Sequence, residues 1–307
     1  MNPVLTVGIT TRNRPTALAA CLASLRAIVH LDPEILVFDD GSEPAVDPRT
    51  TAGDTNARVI RDAGSPGYIV GRNRLVREAA SEFVLLLDDD AKLIGAAAVD
   101  AAIAVLRRDP GVGAVAFAQA EADGRPWPAG MQPSAAQVPS VVPSFIGFAH
   151  MIRRDRFLAL GGYRETFGFY GEEKEFCLRL LDAGLHTVYL PDALVAHVVD
   201  PNSRDRRRYL RFVARNDCLN TLLNDPFTRL LWMLPARYAL YFRMRRGWRI
   251  RDPWGGLWLL REIAGHFADV WKARRPVSRR TLKEWRALKA EQRAYRMPLQ
   301  PGGVGGR

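Results

Sequence analysis

Three consecutive carboxylates, Asp88-Asp89-Asp90, close the apolar run 83–87. Adjacent like charges repel unless a cation or a basic group balances them. At strand spacing Asp88 and Asp90 point the same way and could share one divalent ion. Oxygen donors favour Mg²⁺ or Mn²⁺, and the plainer alternative is a solvated acidic turn. A second acidic pair, Asp39-Asp40, stands before Gly41-Ser42. A carboxylate there could accept from a nucleobase N–H, with glycine allowing close approach; otherwise it is an Asp-Gly turn. The third cluster is Gly171-Glu172-Glu173-Lys174-Glu175. Acids suit a helix start through the helix dipole, and one of them could project into a site as a general base. His197 is the fourth candidate, a structural histidine by itself but a nitrogen ligand for an ion if a carboxylate site lies beside it.

The elements around these residues alternate. Residues 5–10 read as a buried strand. Residues 16–27 read as a helix with Leu18, Cys21, Leu22 and Leu25 on one face and Pro15 in its first turn. Strands are expected at 34–38, 58–60, 83–87 and 112–117, and helices at 68–80 and 97–107. Residues 121–144 are rich in Pro, Gly, Ser and Ala and read as a long irregular connection, the kind that is often functional. A strand at 145–152, a helix at 154–160, a helix at 172–183 and strands at 187–190 and 193–197 follow. This order predicts an α/β fold with a largely parallel sheet. Ligands of such sheets sit at the carboxyl ends of the strands, where both aspartate clusters fall.

Composition narrows the classes. The 307 residues hold 44 Lys+Arg and 33 Asp+Glu, with 48% apolar and 25% charged residues. That excludes a disordered or collagen-like chain. Cys21, Cys177 and Cys218 cannot build a disulfide framework, which suits a reducing compartment. Residues 1–10 lack the pattern of a signal peptide, and no uncharged apolar run reaches the length of a spanning helix. The charge is uneven: residues 1–203 hold 19 basic and 25 acidic residues (net −6), and 204–307 hold 25 and 8 (net +17). Six of the seven tryptophans, all but Trp127, lie in the basic part. There, apolar clusters (Phe227, Leu230, Leu231, Trp232, Leu234; Trp254, Trp258, Leu259, Leu260) flank Arg243, Arg245, Arg246, Arg249 and Arg251. That pattern suits interfacial helices on anionic lipid, and equally a helical layer packed on the first domain. A sequence pI near 10.0 alone would suggest a nucleic-acid- or anionic-polymer-binding protein, but no nucleic-acid motif is present. A nucleotidyltransferase of related architecture would want a glycine-rich phosphate loop after the first strand, and Thr10-Thr11-Arg12-Asn13-Arg14-Pro15 has no glycine.

As an ordered set, residues 4–13, 37–42, Gly71-Arg72-Asn73, 83–90 and 161–197 resemble the family-2 glycosyltransferases. Those are inverting enzymes with the GT-A fold, a Rossmann-like nucleotide-diphospho-sugar transferase architecture. The most specific part is Gly161-Gly162-Tyr163-Arg164-Glu165-Thr166-Phe167, then Tyr170-Gly171-Glu172-Glu173, then Cys177-Leu178-Arg179-Leu180. It resembles the family run GGFDE…F…YGEDVDLCLRL and continues to Pro191-Asp192-Ala193 and His197. The resemblance covers about residues 3–225. It implies that Thr10 and Asp40 touch the nucleotide base and that Arg72 lies near the base or the diphosphate. It implies that Asp88 and Asp90 form a DxD pair, with Asp90 the direct ligand of Mn²⁺ or Mg²⁺ and His197 an additional one. Asp88 or Asp89 would contact the ribose and sugar. Glu173 stands at the position of the catalytic Asp, with Glu172 the neighbouring candidate. Arg164 stands where Asp is common, and the usual proline after the DxD is missing. Two parts are expected, a GT-A domain at 1–225 and a basic helical tail at 226–307. The tail, with Arg215-Asn216-Asp217 followed by apolar helices, resembles more loosely that of bacterial members acting on lipid-linked or cell-envelope polysaccharide acceptors. The expected partners are a nucleotide-sugar donor, such an acceptor and an anionic membrane surface, without nucleic acid. The expected place is the cytoplasm, peripheral on the inner face of the cytoplasmic membrane.

Overall fold

The computed structural model describes residues 3–47, 56–199 and 205–298. Its strands are β1 (Leu5–Thr11), β2 (Glu34–Asp39), β3 (Ala57–Arg61), β4 (Phe83–Asp88), β5 (Ala91–Leu93), β6 (Val112–Ala120), β7 (Ser140–Val142), β8 (Ala149–Arg153), β9 (His186–His197) and β10 (Arg293–Ala294). They form one sheet in the order β10-β7-β9-β6-β8-β4-β1-β2-β3, with β5 paired to β9 off this path. The helices are α1 (Pro15–Ser24), α2 (Tyr68–Glu78), α3 (Ala97–Arg108), α4 (Arg154–Ala159), α5 (Glu172–Asp182), α6 (Arg206–Asn224), α7 (Phe227–Gly247), α8 (Gly255–Ala273) and α9 (Arg279–Ala290).

Strand side chains alternate between two covered faces, as a sheet with helices on both sides requires. Ile35, Val37, Phe83, Leu85 and Leu87 join α1 and α3 in one core. Leu36, Phe38, Val84 and Leu86 join α2, α4 and α5 in the other. Gly71 brings α2 close to the sheet, since a Cβ there would strike the Phe38 ring.

The sheet is mixed rather than largely parallel. β1, β2, β3 and β4 pair in parallel, but β8 runs antiparallel between β4 and β6. The chain leaves β6 at its carboxyl end, runs antiparallel beside β9 as β7, and re-enters the sheet as β8, antiparallel to both β4 and β6. The connection through 121–148 is not structureless. It holds a 3₁₀ turn (Ala129–Met131) and β7, and Gln119 and Gln132 tie its start through paired amide bonds of 2.8 Å. The two expected strands at 187–190 and 193–197 are one strand, β9. Its register against β6 shifts between Phe117 and Ala118, where the extra residues around Pro191 are absorbed.

The tail is not a separate body. Val270, Val277, Leu282, Trp285 and Leu288 are buried in the same core as α5, and β10 pairs with β7. Asp182 at the end of α5 accepts from the Ser278 backbone N–H at 2.9 Å. The end of α8 and α9 therefore pack within the core of the sheet domain. Arg204, from which the tail was counted, and residues 299–307 lie outside the described residues. Among the described residues no helix is long and apolar enough to cross a membrane.

One consequence is measurable. Trp285 is 7% exposed and Trp254 is 72% exposed. Trp285→Ala should lower unfolding free energy by about 3–5 kcal/mol, and Trp254→Ala by about 0.5 kcal/mol or less. Urea unfolding followed by far-ultraviolet dichroism reads both. Equal, small effects would mean that α9 is not part of the cooperative core.

Candidate active site

A cleft of about 1000 Å³ opens at the carboxyl ends of β1 and β4, lined among others by Thr10, Asp40, Asp88, Asp89, Asp90, Glu173 and His197. Register creates it: Thr10 lies opposite Asp88, and the Asp40 N–H donates to the Thr11 carbonyl at 3.0 Å. The two acids after β2 have different fates. Asp39 is fully buried and accepts from the Ser42 N–H (2.8 Å), the Val46 N–H (3.1 Å) and Arg61 (2.5 Å). Burial alone would raise its pKa, but these donors outweigh it and hold the carboxylate below its usual range. Asp40 accepts from the Gly67 N–H at 2.9 Å and, with Thr10, lines the cleft wall.

The aspartate triplet is balanced by two arginines. Arg14 donates to Asp89 (2.5 Å) and to Asp90 Oδ2 (2.9 Å). Burial outweighs the opposing Arg14 and Thr11 hydroxyl (2.8 Å), and Asp89 is pushed up to about 7. Arg72 donates to Asp88 Oδ1 at 2.6 Å. Asp90 Oδ1 is buried with no hydrogen-bond partner and lies 3.6 Å from His197 Nε2. Antiparallel pairing of β5 with β9 sets His197 opposite Ala91, which brings it beside Asp90. Trp127 and Phe148 sandwich the imidazole at centroid distances of 5.4 and 4.7 Å. Gln119 donates its amide to the Met131 carbonyl, so its Oε1 accepts from His197 Nδ1 at 2.7 Å. That assigns the proton to Nδ1 and turns Nε2 toward Asp90.

Asp90 and His197, with Asp88 alongside, fit a divalent cation by donor type, and the orphaned Asp90 oxygen supplies the vacancy in hydrogen bonding that such an ion fills. Among the described residues no three acidic, histidine or cysteine side chains converge closely enough to enclose an ion. A small site of one or two carboxylates completed by water and substrate phosphate is the usual Mg²⁺ arrangement, and the residues present suit it.

Glu172 and Glu173 are separated by the start of α5. Gly171 at φ +86° turns the chain into the helix. Glu172 is fully buried and bound by Arg72 Nη1 (2.9 Å) and the Tyr68 hydroxyl (3.2 Å). Glu173 lines the cleft, where a Cβ on Gly147 would strike its carboxylate. Burial raises the pKa of Glu173, with Arg72 opposing. Arg72 lines the cleft, and its Nη atoms serve Glu172, Asp88 and the Gly147 carbonyl (2.8 Å), so it also braces carboxylates.

Residues outside the expected set hold this geometry. Asn216 on α6 donates to the carbonyls of Phe169 (2.8 Å) and Tyr170 (2.6 Å), and Arg215 to those of Thr166 (3.1 Å) and Phe167 (2.5 Å). Together they pin the loop that delivers α5. The departure at Arg164 is matched by Glu175: the fully buried Glu175 accepts from Arg164 (3.3 Å) as well as Arg179 (2.8 Å). Gln119 had one sequence signal, a lone amide in the otherwise apolar strand β6.

Known proteins give the same frame. Residues 6–157 match the family described as Glycosyl transferase family 2. An N-acetylglucosaminyltransferase of Sinorhizobium fredii is 32% identical over 235 residues, 68% of this chain and 56% of that protein. The chain thus spans about half the length of the first curated relatives it matches. An N-acetylglucosaminyl-diphospho-decaprenol L-rhamnosyltransferase of Mycobacterium tuberculosis is 24% identical over 78% of this chain and 90% of its own length. Among solved structures, TarS 1–349 of S. aureus in complex with UDP-GlcNAc aligns with a TM-score of 0.60 at 16% identity, covering 94% of this chain and 88% of that one. The mannosyltransferase PcManGT of Pyrobaculum calidifontis, in complex with GDP-Man and Mn²⁺, aligns at 0.51 and 16% identity, covering 94% and 80%. With the match over 6–157 and the shared GT-A fold, the chain belongs to glycosyl transferase family 2.

Proposed function

We propose that the protein is an inverting glycosyltransferase that moves a sugar from a nucleoside-diphosphate-sugar donor to a hydroxyl of a lipid-linked or cell-envelope polysaccharide acceptor. The observation that carries this reading is one cleft lined by Thr10 at the end of β1, Asp40 after β2, Asp88 and Asp90 at and after the end of β4, His197 at the end of β9, and Glu173 from α5. The relatives support the chemical class: one is named for N-acetylglucosaminyl transfer, one for rhamnosyl transfer to a diphospho-decaprenol.

Thr10 and Asp40 bind the nucleotide base, with Asp40 accepting a base N–H. Asp88 or Asp89 contacts the ribose and sugar, and Asp90 and His197, with Asp88 nearby, would contribute to holding Mn²⁺ or Mg²⁺ together with water and the donor diphosphate. A bound divalent ion supplies Lewis-acid stabilisation of the leaving diphosphate. Glu173 takes the proton of the acceptor hydroxyl as that oxygen bonds to the anomeric carbon. The carbon–oxygen bond to the diphosphate breaks with its electron pair, on the opposite face, so the configuration inverts. Glu172 holds Arg72 and does not touch substrate. The exposed face of α7 and α8 meets an anionic membrane surface, on the cytoplasmic side.

Glu173→Gln is nearly isosteric and should lower kcat by about 10²-fold or more, with donor KM little changed. Activity of the parent should fall as pH drops through the raised pKa of Glu173, because the base must be ionised, and the variant should lose that limb. Glu172→Gln should instead lower thermal stability. If Glu172→Gln alone abolishes turnover in a folded protein, the roles are reversed.

Asp90→Ala should abolish Mn²⁺ binding measured by calorimetry in the presence of UDP. Gln119→Ala should weaken that affinity roughly 10- to 100-fold, because it releases the imidazole of His197. Full turnover in EDTA would overturn the metal assignment.

A further inference from the structure

The α7–α8 turn builds a second concave site, away from the cleft. Phe242, Arg245, Arg246, Arg249, Ile250, Arg251, Asp252 and Pro253 surround an open cup of about 490 Å³. Four of these are arginines. Between residues 226 and 261 the chain carries eight arginines and a single acid, Asp252. That acid is spent elsewhere. It accepts both Nε (2.8 Å) and Nη2 (2.5 Å) of Arg211, and the Tyr241 hydroxyl at 2.8 Å. Arg245 donates to the Asp252 carbonyl at 2.9 Å and lies 5.8 Å over the Phe242 ring. Arg246, Arg249 and Arg251 are exposed, and no carboxylate among the described residues pairs with them. Several guanidinium groups with no counter-charge around one cavity make a receptor for a phosphate.

Two further features say which phosphate. The rim is apolar: Trp254 is 72% exposed, Leu257 63% and Phe242 39%. Aromatic and aliphatic side chains next to clustered arginine are what a lipid interface selects, and a soluble anion has no use for them. Arg249 also sits at φ +54°, where α7 ends with the Arg249 N–H on the Arg246 carbonyl (3.2 Å) and the Ile250 N–H on the Arg245 carbonyl (3.0 Å). Glycine is the usual residue at that left-handed position. An arginine there keeps a guanidinium on the cup at the expense of an easier helix end.

We propose that this arginine cup binds the phosphate headgroup of an anionic phospholipid and fixes how the protein sits on a membrane. The proposal deepens the membrane-surface reading above and rests on it. The cup lies one aromatic layer from the cleft. Trp248, in the turn, stacks on Tyr209 at 5.7 Å, Arg206 donates to the Trp248 carbonyl at 3.1 Å, and Tyr209 lines the cleft. A headgroup held in the cup therefore brings the cleft mouth to the lipid surface, where a lipid-linked acceptor is found.

The test uses the full chain with vesicles of phosphatidylcholine alone and of phosphatidylcholine with phosphatidylglycerol, at low salt. Three proteins are compared: the parent, the triple variant Arg246→Glu/Arg249→Glu/Arg251→Glu, and a control with the same charge change elsewhere, Arg107→Glu/Arg280→Glu/Lys283→Glu. The parent should bind only the anionic vesicles. The cup variant should lose about tenfold or more of that affinity and the control about threefold or less, with UDP affinity the same in all three. Arg249→Gly should raise the melting temperature while weakening vesicle binding. Equal losses in cup variant and control would mean bulk charge and overturn the site. So would parent binding to neutral vesicles, or a cup that binds inorganic phosphate in calorimetry while ignoring anionic vesicles. UDP binding and donor turnover report the enzyme reading separately. Their loss with vesicle binding intact would sink the proposed activity and leave the cup standing.

Discussion

The buried guanidinium of Arg72 is the interaction on which the cleft depends. It is 2% exposed and bridges Asp88 at the end of β4, Glu172 at the start of α5 and the Gly147 carbonyl before β8. Burial would lower its pKa, and the two carboxylates more than reverse that. Three segments distant in sequence are thereby set at fixed spacing. Its removal would leave Glu172 buried without a cation, a loss of about 3–5 kcal/mol for a broken buried pair. Tyr68 completes the arrangement: its ring lies 4.7 Å from the guanidinium, and its hydroxyl accepts the Tyr170 N–H at 2.8 Å. The same residues that neutralise the floor of the cleft therefore also hold the loop leading to α5.

From this brace follows the division of labour between neighbouring acids. Successive residues of a helix point about 100° apart, so Glu172 and Glu173 cannot face the same surroundings. Glu172 turns inward to the guanidinium and Glu173 outward to the cleft. Asp39 and Asp40 divide in the same way through strand alternation, with Asp39 committed to Arg61 and backbone N–H groups. In each pair one carboxylate is structural, and it is the one that fixes where the other points.

Much of this was legible in the sequence, because it depends on local pattern. Short apolar runs located β1, β2 and β4, the last two ending in acids, and the ordered motifs located α5 and His197. The direction of β8 was not legible, since it depends on where the chain re-enters the sheet after 121–148. Nor was the role of Arg72, for a lone arginine on a helix says nothing about which distant carboxylates will meet it. Gln119 and Asn216 escaped for the same reason: their value lies in partners 78 and 46–49 residues away.

The basic tail shows why charge counts alone cannot assign a surface. Arg215 and Arg274 lie in the same positive stretch as Arg246 and Arg249. Yet Arg215 is buried against backbone carbonyls and Glu262, and Arg274 caps the carbonyls of Leu222 and Asp225. These arginines attach helices to the GT-A domain, as the packing alternative required. Arg246, Arg249 and Arg251 of the α7–α8 turn pair with no carboxylate among the described residues and stand near exposed tryptophan and leucine. Packing thus accounts for one set of arginines, and the proposed membrane contact concerns the other. α6, the end of α8 and α9 build the domain, while α7 and the turn after it present charge and apolar surface outward. The net charge of +17 in 204–307 counts both sets of arginines, and burial separates them.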